Sequence, residues 1–289
     1  MLDYKLVEAL AKIAEKGGFD KAANTMHITQ SAISQRLKLL EEHMGQILLI
    51  RATPPRLTSA GQDLVKHFLQ VKHLEDELLE KSTTQLDNQR TQMSVAVNAD
   101  SLATWFLDTI QSYILEEDVL LDIHVEDQEQ THKLLKAGEV VGCISTKESP
   151  IQGCKVSYIG CMPYHMVASP DFTKRWFPEG LTQALTKKAP AIIFNRKDDL
   201  HHIFLEQNFG ITQRNLPAHY IPSSEKFSKF MVEGIGYGLL PFQQSKAYIE
   251  TGELIDLSPG HTLQIKLYWH CWNLRSKRLN KLSTILSFK

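Results

Sequence analysis

The stretch that most constrains this chain is Phe19–His43, FDKAANTMHITQSAISQRLKLLEEH. Two apolar-periodic runs lie only a few residues apart, which requires two helices joined by a tight turn. Asp20 is expected to cap the first, with Ala22, Ala23 and Met26 on one face. His27-Ile28 make the turn. Thr29 caps the second helix through its hydroxyl, and Ile28 and Ile33 hold the N′ and N4 positions of a hydrophobic staple. Ile33, Leu37 and Leu40 then form the buried stripe. Ser31, Ser34, Gln35 and Lys38 point away from it, and Gln30 reaches outward from the first turn. No carboxylate interrupts that face before Glu41. Amides and hydroxyls read base edges and phosphates, so the face suits DNA, although an ordinary solvated helix would also be polar there.

The flanking residues extend the motif. Residues 3–16 carry Leu6, Leu10 and Ile13 at helical spacing, and Gly17-Gly18 end that helix. After Gly45, Ile47–Ile50 is short and β-prone and can pair with Leu57-Thr58. Arg51-Ala-Thr-Pro54-Pro55-Arg56 between them reads as a stiff wing with an arginine on each side, placed with Arg36 to meet the DNA backbone. Residues 59–84 read as one long helix. Its Leu64, Phe68, Val71, Leu74 and Leu78 recur near a coiled-coil seam that calls for a second copy of the chain. Residues 85–91 are polar and read as a hinge.

Beyond the hinge the pattern becomes α/β: strands at 93–97, 119–125, 140–145, 191–194, 219–221, 238–240 and 263–269 alternate with helices at 101–115, 129–137, 200–207, 224–233 and 274–288. The reading is two lobes joined by crossing strands, with a cleft between them. Ligands in such folds bind beyond the carboxyl ends of the strands. That places Asn98, Ala99, Asp100 and Ser101 at the cleft, where the start of a helix suits a carboxylate, and Thr104 can add a hydroxyl. Ser145 and Thr146 end another strand. Glu126, Asp127, Asn195, Asp198 and Asp199 follow two more, and their carboxylates suit a cationic side chain. Each alone reads equally as a turn residue, a helix cap or a solvated charge. Gly234-Ile-Gly236-Tyr-Gly238 follows a helix and leads into a strand, the reverse of a phosphate loop, so its glycines read as packing residues.

Residues 3–62 resemble the winged helix-turn-helix of LysR-type transcriptional regulators. The resemblance rests on Ala22-Ala23, Thr29-Gln30-Ser31-Ala32-Ile33-Ser34, Leu40-Glu41 with Gly45, and Arg56-Leu57-Thr58 with Gly61. Ser31 departs from the proline of many members. The implied architecture is an α-rich winged helix-turn-helix at 1–58, a linker and dimerisation helix with hinge at 59–91, and an α/β effector domain at 92–289 that is similar to periplasmic binding proteins. Its first lobe would span about 92–165 and 266–289, its second about 166–265. The segments VAVNADSLATW (95–105), RATPPR (51–56) and LIDL (254–257), with Tyr268-Trp269-His270, resemble the members that respond to L-lysine and L-arginine. The resemblance implies double-stranded promoter DNA, RNA polymerase and a basic amino acid as partners. It also implies a homodimer that assembles into a tetramer, and a nucleoid-associated place in the cytoplasm. The alternative is an architectural or replication-origin DNA binder that needs no ligand.

The totals narrow the choice of class. Net charge is −1, and residues 1–62 hold eight Lys/Arg against six Asp/Glu, so DNA affinity must come from local placement and dimerisation rather than bulk charge. The four cysteines form no Cys-x-x-Cys pair and are expected to be buried free thiols. No nucleophile elbow, metal-ligand cluster or Walker loop marks an enzyme, and His201-His202 point about 100° apart on a helix. No cofactor or membrane association is expected, and Met1 leads directly into a charged amphipathic helix with no signal peptide.

Overall fold

The computed structural model describes residues 2–79, 92–126, 131–212 and 215–286. The expected hinge at 85–91, the end of the linker helix and Asp127 lie outside these.

Helices α1 (Tyr4–Lys16), α2 (Phe19–Thr25) and α3 (Gln30–Met44) are followed by the two-residue strands β1 (Leu49–Ile50) and β2 (Arg56–Leu57), which pair antiparallel. Thr29 accepts from the Ala32 N–H at 3.2 Å, the expected cap of α3. Asp20 is not a cap. Gly18 occupies that position in extended backbone, Phe19 is already helical, and Asp20 sits in the first turn, where its charge favours the helix dipole. Ile33, Leu37 and Leu40 are buried with Val7, Leu10, Ile13, Ala22 and Ala23, and Ile28 packs against them. Glu41 turns back to accept from the Leu48 N–H at 2.9 Å and the Leu49 N–H at 3.2 Å, which ties the end of α3 to the wing. A Cβ at Gly61 would collide with the Leu48 carbonyl oxygen, so the next helix approaches the wing only through glycine.

That helix, α4 (Ser59–Leu79), does not present one continuous seam. Leu64 is buried in the N-terminal core and Phe68 packs on it, while Leu74, Leu78 and Leu79 are exposed. A different face, through His73 and Glu77, is buried against the C-terminal domain of the same chain. Glu77 accepts from Ser276 Oγ at 3.3 Å and from the Arg278 N–H at 3.2 Å, at the start of α13 (Lys277–Ile285).

In the C-terminal domain, β3 (Gln92–Asn98) pairs in parallel with β4 (Leu120–Glu126) and β5 (Gly142–Ser145). Between β3 and β4 run α5 (Ala99–Ser101), a π-helical turn (Leu102–Phe106) and α6 (Leu107–Glu117). The helix expected at 101–115 therefore contains a wider turn, which lets the consecutive Trp105 and Phe106 both bury. Next come α7 (Thr131–Ala137) and the long strand β6 (Cys154–Ala168). The sequence did not announce β6, because Gly160 and Pro163 interrupt its alternation. It pairs antiparallel with β11 (Leu263–Trp272), and these two strands cross between the lobes; the boundaries expected at 165/166 and 265/266 fall inside them.

The second lobe adds α8 (Pro170–Trp176), α9 (Gln183–Thr186), β7 (Ala191–Ile193), α10 (Leu200–Phe209), β8 (Ala218–Tyr220), α11 (Ser224–Val232), β9 (Gly238–Pro241), α12 (Phe242–Glu250) and β10 (Ile255–Asp256). β7 and β8 are parallel, and β9 and β10 both join β6. At Gly236 a Cβ would stand 2.6 Å from Ile192 Cδ1 and 2.7 Å from the Pro190 carbonyl oxygen, so close packing accounts for that glycine. All four cysteines are free. Cys143 and Cys271 are buried, but Cys154 is only half-buried and Cys161 is exposed on the crossing strand, against the expectation that all four would be buried.

Candidate functional sites

Two surfaces gather the residues expected to make contacts. On α3, Gln30, Ser31, Gln35 and Lys38 are exposed and Ser34 and Arg36 half-exposed, while Arg51 and Arg56 stand exposed on the wing. The hydroxyl of Ser31 lies 3.0 Å from that of Thr29, so it partly belongs to the cap. Lys38 faces Glu42 at 3.7 Å, a solvated pair of little strength. Glu41 is bound to wing amides and so drawn away from this face, which leaves Glu42, beside Lys38, as the carboxylate at its far end. The result is a donor-rich helix beside two arginines, able to enter a major groove while the wing meets phosphates.

The second surface is a cavity of about 590 Å³ between the lobes. Asn98, Ala99, Asp100, Thr146, Asn195 and Asp198 line it, together with Glu126, Phe194, Lys197, Asp199, Leu200, Ile203, Gln264, Ile265 and Lys266. Three residues expected at the cleft do not line it. Ser101 and Ser145 are buried below the surface, and the Thr104 hydroxyl turns back to the Asp100 carbonyl at 2.7 Å. The cavity's position follows from the fold: β3, β4, β5 and β7 all end there, and β11 crosses behind it.

Its polar groups form two sets. Glu126, Lys197, Asp199 and Lys266 are exposed at the mouth, where solvent screens them. Asp100 and Asp198 sit deeper. Both oxygens of Asp198 accept backbone N–H groups, from Phe194 at 3.2 Å and from Leu200 at 3.0 Å. Asp100 accepts from the Tyr164 hydroxyl at 2.6 Å and the Ser224 hydroxyl at 2.9 Å. Burial pushes the Asp100 carboxyl above the usual range; the two hydroxyls pull it back, and the charge of Asp198 raises it further. Beside it the Asn98 side chain is 2% exposed, and among the described residues neither its amide nitrogen nor its oxygen has a hydrogen-bond partner. A buried amide of that kind costs free energy unless something in the cavity satisfies it. Next to the cavity, burial pulls His201 down to about 3, so it stays neutral. Among the described residues, no group of three His, Cys, Asp or Glu could hold a metal ion, and no helix is long and apolar enough to cross a membrane.

Sequence reasoning missed Tyr164, Phe194, Lys197, Leu200, Ile203, Ser224, Gln264, Ile265 and Lys266. Tyr164 and Gln264–Lys266 come from the two crossing strands, and nothing local marks the others as cavity residues.

A winged helix-turn-helix joined through a linker helix to a two-lobe domain with a polar cavity is the architecture of a DNA-binding transcriptional regulator. Comparison with known proteins agrees: the family model "Bacterial regulatory helix-turn-helix protein, lysR family" matches residues 4–62. The chain belongs to the LysR family of transcriptional regulators. Over 98% of its length it is 40% identical to the HTH-type transcriptional regulator ArgP of Vibrio vulnificus (strain YJ016), covering 95% of that protein. The crystal structure of ArgP from Mycobacterium tuberculosis superimposes with a TM-score of 0.88 at 36% identity, covering 99% of this chain and 96% of that one. Full-length LysG from Corynebacterium glutamicum, solved with bound effector Arg, gives 0.80 at 29% identity over 99% and 96%.

Proposed function

We propose that this regulator senses a basic amino acid, L-lysine or L-arginine, in the inter-lobe cavity and changes its grip on promoter DNA in response. The observation that carries the reading is the pair Asp100 and Asp198. Two carboxylates deep in one cavity, one of them destabilised by burial, are best satisfied by a cation. The Asn98 amide offers a donor and an acceptor to the α-carboxylate and α-ammonium ends. The arginine-bound LysG relative supports this reading. Ser101, Thr104 and Ser145 have weaker claims, for the reasons given above, while Asp127, outside the described residues, keeps the role expected of it.

On DNA, Gln30, Ser34 and Gln35 face base edges, Ser31 and Lys38 flank them, and Arg36, Arg51 and Arg56 face the phosphates. The exposed Leu74, Leu78 and Leu79 of α4 meet a second copy, giving a dimer that reads two half-sites and pairs into a tetramer. RNA polymerase is the downstream partner, and the protein works in the cytoplasm on the nucleoid. A ligand can shift the equilibrium only by binding two conformations with different affinity, and closure of the lobes supplies that difference.

Calorimetric titration of the full-length chain with L-lysine, L-arginine and L-leucine tests the effector. Heat from the two basic amino acids alone, abolished by Asp100→Asn, is the expected result. Equal heats from all three would remove selectivity for a basic side chain, and no heat from any would favour a different effector or a ligand-independent DNA binder. On DNA, Gln35→Ala should weaken specific binding by about 1–3 kcal/mol with little change on random sequence, and Arg56→Ala should lower the salt slope on any DNA by about one.

A further inference from the structure

Asp100 is held by two hydroxyls that come from different parts of the molecule. Asp100 itself opens the helical segment after β3 in the first lobe. Tyr164, 1% exposed, belongs to the crossing strand β6, and Ser224, 8% exposed, stands at the start of α11 in the second lobe. The bond from Ser224 to Asp100 therefore spans the cleft at 2.9 Å, and the bond from Tyr164, at 2.6 Å, has the length of a charge-assisted contact.

We propose that Ser224 and Tyr164 are positioning residues for the effector cation: they orient Asp100 into the cavity, and the Ser224 bond that joins the second lobe to the first becomes a stronger latch when that cation is present. This inference rests on the reading of the cavity as a basic-amino-acid site.

The physical argument is a balance. Both hydroxyls donate to Asp100, which favours its ionised form. Burial and the facing Asp198 favour the neutral form. At the mouth, Glu126, Lys197, Asp199 and Lys266 are exposed and weakly felt, and the neutral His201 beside the adjoining pocket contributes no charge. A carboxylate so balanced responds to one added cation. Once the cation is bound, Asp100 is fully ionised and both hydroxyl bonds strengthen. The added strength of the Ser224 bond exists only with the lobes together, so it couples occupancy to closure.

The sign of the pH dependence follows. The cation binds ionised Asp100, so affinity falls as pH drops through the carboxyl's pKa in the unliganded protein. Removing a hydroxyl donor raises that pKa, so the fall begins at higher pH.

The test is calorimetric titration of full-length wild type, Ser224→Ala, Ser224→Thr and Tyr164→Phe with L-lysine and L-arginine across a pH series. Thermal unfolding without ligand checks that each variant is folded. Ser224→Ala should bind several-fold more weakly, because the bond is already made without ligand and only its strengthening on occupancy is lost, with its pH profile displaced upward. Tyr164→Phe should do the same, and Ser224→Thr, which keeps the hydroxyl, should restore both affinity and profile. A folded Ser224→Ala that binds with wild-type affinity and an unmoved profile overturns the inference and leaves the basic-amino-acid reading intact. A wild type that binds neither amino acid at any pH overturns both.

Discussion

The two ends of this molecule hold themselves together in different ways. In the N-terminal domain almost every defining contact is local. Thr29 caps three residues ahead, Glu41 reaches seven and eight residues to the wing, and the core is a stripe read from helical spacing. In the C-terminal domain the defining contacts are remote. Tyr164 and Ser224 meet Asp100 across 64 and 124 residues, and β11 closes a sheet begun at Gln92. A module that must present one rigid face can be specified by neighbours. A module that opens and closes around a ligand, as proposed for this one, has to be assembled from segments that can separate.

The sharpest way to break this comparison is to damage each domain at its tightest backbone approach. A Cβ at Gly61 would strike the Leu48 carbonyl oxygen, and one at Gly142 would strike the ring of Trp269. Neither obstacle is the free end of a flexible side chain. Gly61→Val should cost about 3 kcal/mol or more and abolish DNA binding, while lysine titration still gives heat. Gly142→Ala should cost about 2–3 kcal/mol and act in the reverse sense, abolishing ligand heat first. Hydrogen exchange resolved to α1–α3 and to β3–β5 checks both. Protection lost together in both domains from either substitution would show a single cooperative unit instead.

A smaller effect is expected where the two regions meet. Glu77 is 8% exposed and accepts from Ser276 Oγ and the Arg278 N–H, so a side chain of the linker helix completes the start of α13. Its neighbour His73 makes a T-shaped ring contact with Trp272, the last residue of β11, the same strand that lines the cavity at Gln264–Lys266. Glu77→Ala leaves a buried donor unmatched and should cost about 1–3 kcal/mol, raising exchange at the end of α4 and the start of α13 together. Exchange that rises in α4 alone would mean that α13 keeps its own cap and the joint is only a surface contact.

These differences also explain what was legible in advance. The recognition helix could be read because Thr29, Ile28 and Ile33 announce its start and its stripe within a few residues. Asp20 was misread because Gly18, extended and without a side chain, starts α2 two residues earlier than an Asx cap at Asp20 would. Strand β6 was invisible because Gly160 and Pro163 hide its alternation, and without β6 the sequence could not offer Tyr164 to Asp100. Asn98, Asp100 and Asp198 were legible because strand ends have a rule. Ser224 was not, because nothing within its own helix says what stands across the cleft. The linker stripe was half legible: spacing found Leu64 through Leu78, but spacing cannot assign Leu64 to one core and leave Leu78 outside it.

The smallest predicted effect separates stability from function inside the local module. Thr29→Ala removes the cap of α3 and should cost about 1 kcal/mol, read by thermal unfolding of the DNA-binding domain. Thr29→Asp keeps a capping oxygen and adds negative charge where the helix dipole favours it, so folding stability should hold or rise by a few tenths of a kcal/mol. The same carboxylate would stand beside Gln30 and Ser31 on the face that meets phosphate. DNA affinity should therefore fall with Asp although stability does not, and the loss should grow as salt is lowered, because repulsion from the phosphates is less screened. If Thr29→Ala and Thr29→Asp weaken DNA binding in proportion to their stability alone, the start of α3 does not approach the phosphates, and the docking of this helix must be turned away from its N-terminus.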